Sequence, residues 1–218
     1  MDGESARDYG QADLADGAPA WCAPAPAMSE LPAPADPDAE QMLMYAGGDN
    51  AAFDRLYASH SGGTYRYFLR SLRNPSVAEE LFQDLWMSVV RARASYTIQA
   101  RFATWLYRMA HNRLIDHYRR SNVVELVPLD DDESALAPLL ADPAPGPEAA
   151  ATSRQAALQL LHLVEALPAV QREAFLLQEE GGLSLAEIAA ATGAGVETIK
   201  SRLRYAMTRL REGMRNFT

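Results

Sequence analysis

The sequence predicts an all-α fold: two small helical domains joined by an acidic flexible linker, with a disordered tail in front. Three observations lead there. Apolar residues recur at three- and four-residue spacing through residues 39–121 and 154–218, the period of helices that bury one face. Residues 1–38 and 122–153 are instead rich in Ala, Pro, Gly and Asp and hold no sustained apolar period. Charge divides the same way. The 218-residue chain is net -9, yet residues 1–40 and 123–153 carry -8 and -7, while 41–122 and 154–218 carry +5 and +1. Base is concentrated where the chain folds, which keeps a phosphate-bearing partner open in spite of the overall acidity.

The first helical stretch begins at Met42, Leu43 and Tyr45, continues through Phe53, Leu56 and Tyr57, and then Tyr65, Phe68, Leu69 and Leu72. Asn74-Pro75 interrupts it. Ser76 followed by Glu79 has the form of a capping box, so the next helix is expected from there to about Arg93, with Leu81, Phe82, Leu85 and Val89 inward. Residues 94–100 read as a short loop and 101–120 as another helix. In the linker, five prolines and three successive aspartates leave room for at most a short helical piece around Ala135 to Leu140. The second domain opens with Ala157, Leu160, Leu161, Val164 and Leu167, followed by a helix from Gln171 to Glu179 that Gly181-Gly182 closes. Ser184 with Glu187 is a second capping box. The last helix runs from Val196 to Met214 with Val196, Ile199, Leu203, Met207 and Leu210 inward.

LSLAEIAAATGAGVETIKSRLRYAMTRL, residues 183–210, carries the most specific signal. A short capped helix, a turn containing Gly193 and a longer helix basic on its outer face is the layout of a helix-turn-helix. Glu197, Lys200, Ser201, Arg204 and Arg211 fall away from the apolar stripe, flanked by Tyr205 and Thr208, and could face a major groove. FATWLYRMAHNRLIDHYRR, residues 102–120, gathers Phe102, Trp105, Leu106, Met109 and Ala110 on one side. Arg101, Arg108, Asn112 and Arg119 line up on another with Trp105 at its edge, while Tyr107, Leu114 and Tyr118 make a second, partly apolar patch. A basic stripe bordered by an aromatic suits melted DNA, although by itself a solvated helix face explains it better. His111 and His117 stand about 240° apart around the helix and cannot converge on one metal. No Gly-rich phosphate loop, CxxC pair or GxSxG elbow occurs, so neither catalysis, a metal site nor a cofactor is expected.

The succession AEELFQDLWMSVVRA, FATWLYRMAHNRLIDHYRR, acidic linker, LPAVQREAFLLQEEGGLSLAEIAAATGAGVETIKSRLRYAMTRLRE closely resembles the extracytoplasmic-function (ECF) sigma factors of bacterial RNA polymerase, in the sigma-70 family. The resemblance implies that residues 39–121 form sigma domain 2, which docks on core polymerase and melts and reads the promoter -10 element. It implies that 154–218 form sigma domain 4, which reads the -35 element. By position, Glu80, Leu81, Gln83, Asp84 and Trp86 match the surface for core polymerase. Arg101, Trp105, Arg108, Asn112, Arg113, Asp116, Arg119 and Arg120 match the -10 strand contacts, and the loop 94–100 the pocket for a flipped base. Glu197, Thr198, Lys200, Ser201, Arg202, Arg204 and Tyr205 match the -35 reading face. The family implies an anti-sigma protein as a further partner. The chain departs from the common pattern in its long tail, in Gly195 and in Glu197.

Two sites two duplex turns apart lie roughly 70 Å from each other. A relaxed coil of about 30 residues spans only about 30 Å, but stretched at about 3.3 Å per residue it reaches. Cys22 is the single cysteine, Asp2, Glu4 and Asp8 stand where an export signal would be basic, and no run of about 18 apolar residues occurs, so a cytoplasmic protein without membrane insertion is expected. The rival reading is a free-standing helix-turn-helix regulator whose N-terminal bundle senses a signal.

Overall fold

The computed structural model describes residues 36–121 and 147–215, and every regular element among them is helical. Helix α1 (Pro37–Ala46) starts at Asp36, whose side chain accepts from the amide of Asp38, with Pro37 pre-set for the first turn. The expected tail boundary at 38 therefore moves: Asp36 and Pro37 belong to the folded part. Helix α2 (Asn50–Leu72) is capped by Asp49 and ends where Arg73 turns left-handed at φ 55°. Helix α3 (Pro75–Ala92) is capped by Asn74, whose Oδ1 accepts from the amides of Ser76 and Val77 at 3.1 and 3.3 Å. That corrects the expected Ser76–Glu79 capping box. Pro75 fixes the first turn one residue earlier, so Ser76 already lies inside the helix. A 3-10 turn (Arg93–Ser95), where the expected loop begins, leads on to helix α4 (Phe102–Arg120), which starts one residue after the expected 101 and ends at the expected 120.

Helix α5 (Pro147–Ala166) begins inside the linker expected over 122–153; the rest of that linker and residues 1–35 lie outside the described residues. Helices α6 (Ala169–Glu179), α7 (Leu185–Thr192) and α8 (Val196–Arg215) follow. The capping box at Ser184 and Glu187 is present, and Gly193 closes α7 at φ 71°, a conformation that costs a side-chain-bearing residue about 1 kcal/mol or more. Gly213 in α8 lies so close to Leu163 of α5 that a Cβ would sit 2.4 Å from a Leu163 methyl.

In the first region α2 packs between α1 and α3, and α4 closes the bundle over Met42, Leu56, Phe68, Leu85 and Leu106. In the second, α6, α7 and α8 enclose Leu176, Leu177, Ile188, Ile199, Leu203 and Leu210. Val196, expected inward, is exposed instead at the first position of α8, and Ala157 and Leu160 at the start of the α5 stripe are exposed as well. The two regions also pack on each other. α4 lies against α7, and α2 against α5 and α6, so both share one buried cluster. Of the second apolar patch of α4, Tyr107 is buried against the second region, its hydroxyl donating to the Glu180 carbonyl, while Leu114 and Tyr118 are buried too, Tyr118 donating to the Ser71 carbonyl of α2.

Candidate nucleic-acid interface

The outer face of α8 presents the residues singled out for a major groove. Glu197, Thr198 and Lys200 are exposed at its first turns, and Lys200 Nζ lies 3.3 Å from Glu197 Oε2. Ser201, Arg202, Arg204 and Tyr205 are half-buried one turn further on. The Arg204 guanidinium sits over the Tyr205 ring at 5.2 Å, and its Nε is buried without a hydrogen-bond partner. Stacking on an aromatic holds the planar fork in one orientation, which favours a two-pronged contact with a base edge. α7 packs against α8, its first turn fixed by the cap at Ser184, with Ala189 and Ala191 buried and Ala190 exposed.

On α4 the candidate residues separate into groups. Arg119 and Arg120 are exposed at the C-terminal end, with Asp116 3.8 Å from Arg119. Arg108 and Asn112 are half-buried. Arg113 turns toward α3 and donates to Ser88 Oγ; burial lowers its pKa, an effect that nearby Asp84 opposes. Trp105 leaves the basic stripe and packs on Tyr96 and Phe102 at 5.0 and 5.7 Å between ring centres. Within the loop 94–100, Tyr96 is therefore a floor, while residues 97–100 are exposed. Burial pushes the Tyr96 phenol up to about 12, helped by Asp36 and Asp38.

Glu80, Gln83 and Asp84 lie exposed along α3 beside Met87, which is 49% exposed. Leu81 and Trp86, assigned to the same surface, are buried beneath it, Trp86 against Phe53 and Tyr57. They shape that face from below.

The junction between the two regions pairs residues that the sequence does not show as partners; Arg101, expected at the -10 strand, and Glu187, expected only as a cap, are among them. Glu173 Oε1 accepts from the Tyr67 hydroxyl at 3.0 Å and lies 2.6 Å from His111 Nδ1. Neighbouring Arg172 is buried and donates to the carbonyls of Glu165 and Leu167 at 2.9 and 3.0 Å and, across the junction, of Ser71 at 3.3 Å. Glu180 binds Arg70 and, at 2.7 Å, Arg66. Arg101 reaches Glu187 at 3.2 Å, and Thr104 donates to the same carboxylate at 3.1 Å. Desolvation alone would raise the Glu187 carboxyl, but the Ser184 amide and hydroxyl, Arg101 and Thr104 together hold it below the usual value. The one available signal was a charged pair, Arg172-Glu173, set inside the apolar run of α6. His111 is thus a junction residue with a carboxylate partner.

Residues 56–123 match Sigma-70 region 2 and residues 157–210 match Sigma-70, region 4. The ECF RNA polymerase sigma factor SigM of Mycobacterium tuberculosis is 30% identical over 173 residues, covering 79% of this chain and 82% of the relative. ECF RNA polymerase sigma factor SigF of Caulobacter vibrioides is 32% identical over 175 residues, covering 80% and 92%. Among solved structures, CnrH in complex with the cytosolic domain of CnrY aligns at a TM-score of 0.59 and 19% identity, over 84% of this chain and all of that one. The sigma factor RpoE of Bartonella quintana, in complex with the anti-sigma factor NepR, aligns at 0.52 and 22% identity, over 75% and 96%.

Proposed function

From the membership of this chain in the ECF sigma factors of the sigma-70 family, we infer how its helices divide the work of promoter recognition. The chain directs RNA polymerase to promoters and so to transcription initiation. The observation that carries the division of labour is the order of the two matches, region 2 then region 4, the second enclosing a capped helix-turn-helix whose outer face holds Lys200, Arg202 and Arg204. In this reading α8 reads the -35 duplex. The loop 94–100 and the C-terminal part of α4, with Asn112, Arg119 and Arg120, take the melted -10 strand. The exposed edge of α3 at Glu80, Gln83 and Asp84 docks on core polymerase. The chain contributes no chemistry of its own, and it works in the cytoplasm, where polymerase and promoter are; no helix among the described residues is long and apolar enough to cross a membrane. A protein partner of the anti-sigma type belongs to the same reading, supported by fold neighbours captured with such partners.

The described arrangement cannot read both elements at once. α4 packs on α7 and α7 on α8, so the two reading helices stand about two helix spacings apart, roughly 20 Å. The promoter sites lie roughly 70 Å apart. Recognition therefore requires the two regions to separate. The reading is tested by transcription in vitro: purified chain with core polymerase on a promoter library gives defined start sites preceded by two shared sequence blocks. Binding of duplex DNA alone, with no association with core polymerase, would instead install the free-standing regulator.

A further inference from the structure

Glu173, Glu180 and Glu187 follow one another at seven-residue steps, and each reaches from the second region to a basic side chain of the first. Glu173 meets His111, Glu180 meets Arg66 and Arg70, and Glu187 meets Arg101. We propose that this row of carboxylates is an internal substitute for a nucleic-acid backbone, a latch that holds the chain closed and competes with phosphates for the cationic side of α2 and α4. The competition rests on the reading that α4 meets promoter DNA and extends it to Arg66 and Arg70 of α2; the latch itself does not.

Several features fit a contact built to open. A permanent core would bury apolar groups, since replacing buried ion pairs by well-packed hydrophobic residues is often neutral or stabilising. Beside the apolar cluster that the two regions share, this junction keeps a row of charged groups that water or phosphate can satisfy once it opens. Glu180 is well enclosed when closed, its side chain 6% exposed, so simple salt screens the pair poorly. A polyanion offering its own oxygens to Arg66, Arg70 and Arg101 replaces the carboxylates and does not merely screen them. Close approach is provided by Gly63 on α2. A Cβ there would stand 2.7 Å from the Glu180 carbonyl oxygen and 2.8 Å from the Tyr107 hydroxyl, which itself donates to that carbonyl at 2.8 Å. The glycine is a liability in a helix interior, costing about 1 kcal/mol against alanine, and the junction is where its absence of a side chain is used.

The test uses the full chain with Cys22→Ser and spin labels at Ala58→Cys and Arg209→Cys, exposed positions on α2 and α8. Dipolar spectroscopy is expected to give one short distance in this background. A long-distance population should appear in Gly63→Ala, which favours helix α2 yet wedges the junction, and in the triple variant Glu173→Gln, Glu180→Gln, Glu187→Gln. Binding of a mixed-sequence single-stranded oligonucleotide should tighten about tenfold in both, if the closed form outnumbers the open by that ratio. The triple Glu40→Gln, Asp54→Asn, Glu212→Gln changes net charge equally on exposed carboxylates away from the junction and should tighten binding much less. The same distance in all variants overturns the latch. A longer distance without tighter binding, or equal tightening in the control, overturns the competition with nucleic acid. Failure of the family reading would show separately, in the transcription assay.

Discussion

Asp36 Oδ2 accepts the backbone amide of Phe102 at 2.6 Å, so the residue that caps α1 also caps α4. One carboxylate thereby ties two helix N-termini together beside the -10 loop. Asp38, two residues on, lies 2.9 Å from His60 of α2. Replacing Asp36 with Ala is expected to lower stability by about 1 to 2 kcal/mol, the range for a lost N-cap, measured by urea denaturation. Asp36→Asn should recover most of the loss, because its carbonyl oxygen still accepts.

Arg172 illustrates a different kind of dependence. Arg172→Met would fill similar volume but leave the carbonyls of Ser71, Glu165 and Leu167 without this donor. The expected cost is about 3 kcal/mol, from buried acceptors losing a charged partner. A loss within experimental error in denaturant unfolding would mean that water replaces the guanidinium at no cost.

Much of this was legible in the sequence, and the omissions have one physical cause. Periodicity marks which face of a helix is apolar, so α4 appears within one residue of its observed ends and Phe102, Leu106 and Met109 are recognisably core. The Ser184–Glu187 box and Gly193 are local signals, read within four residues, and the helix-turn-helix follows from them. What covers a face is not local. Glu173, Glu180 and Glu187 find partners 62 to 114 residues away, and an isolated charge on a helix reads as solvated. Asp36 reads as tail for the same reason, its second partner being 66 residues downstream.

At Arg204 the expected outcome is sequence-specific. Arg204→Ala should cost about 1 to 3 kcal/mol on a cognate -35 duplex and relax the preference at one base position, measured by competition binding of the holoenzyme. An equal loss on every duplex would reduce Arg204 to a phosphate contact.

Glu187 gives a pH dependence with a definite sign. Its folded-state pKa is lowered, so its contribution to stability is present above the ordinary glutamate value of about 4.3 and is lost as pH falls through the lower folded value. Urea midpoints taken from roughly pH 6 to pH 3 should fall more steeply for the unmodified chain than for Glu187→Gln, which keeps the cap geometry without titrating. Parallel curves would mean that other carboxyls carry the acid response.

The claim that two regions of one chain read two promoter elements together is tested most directly by spacing. Core polymerase and the purified chain are given a promoter carrying both sequence blocks, with the interval between them varied by single base pairs. The expected result is a sharp optimum, with initiation lost when about five base pairs, roughly half a duplex turn, are inserted or when either block is scrambled. Initiation indifferent to the interval, or surviving on one block alone at full strength, would contradict it.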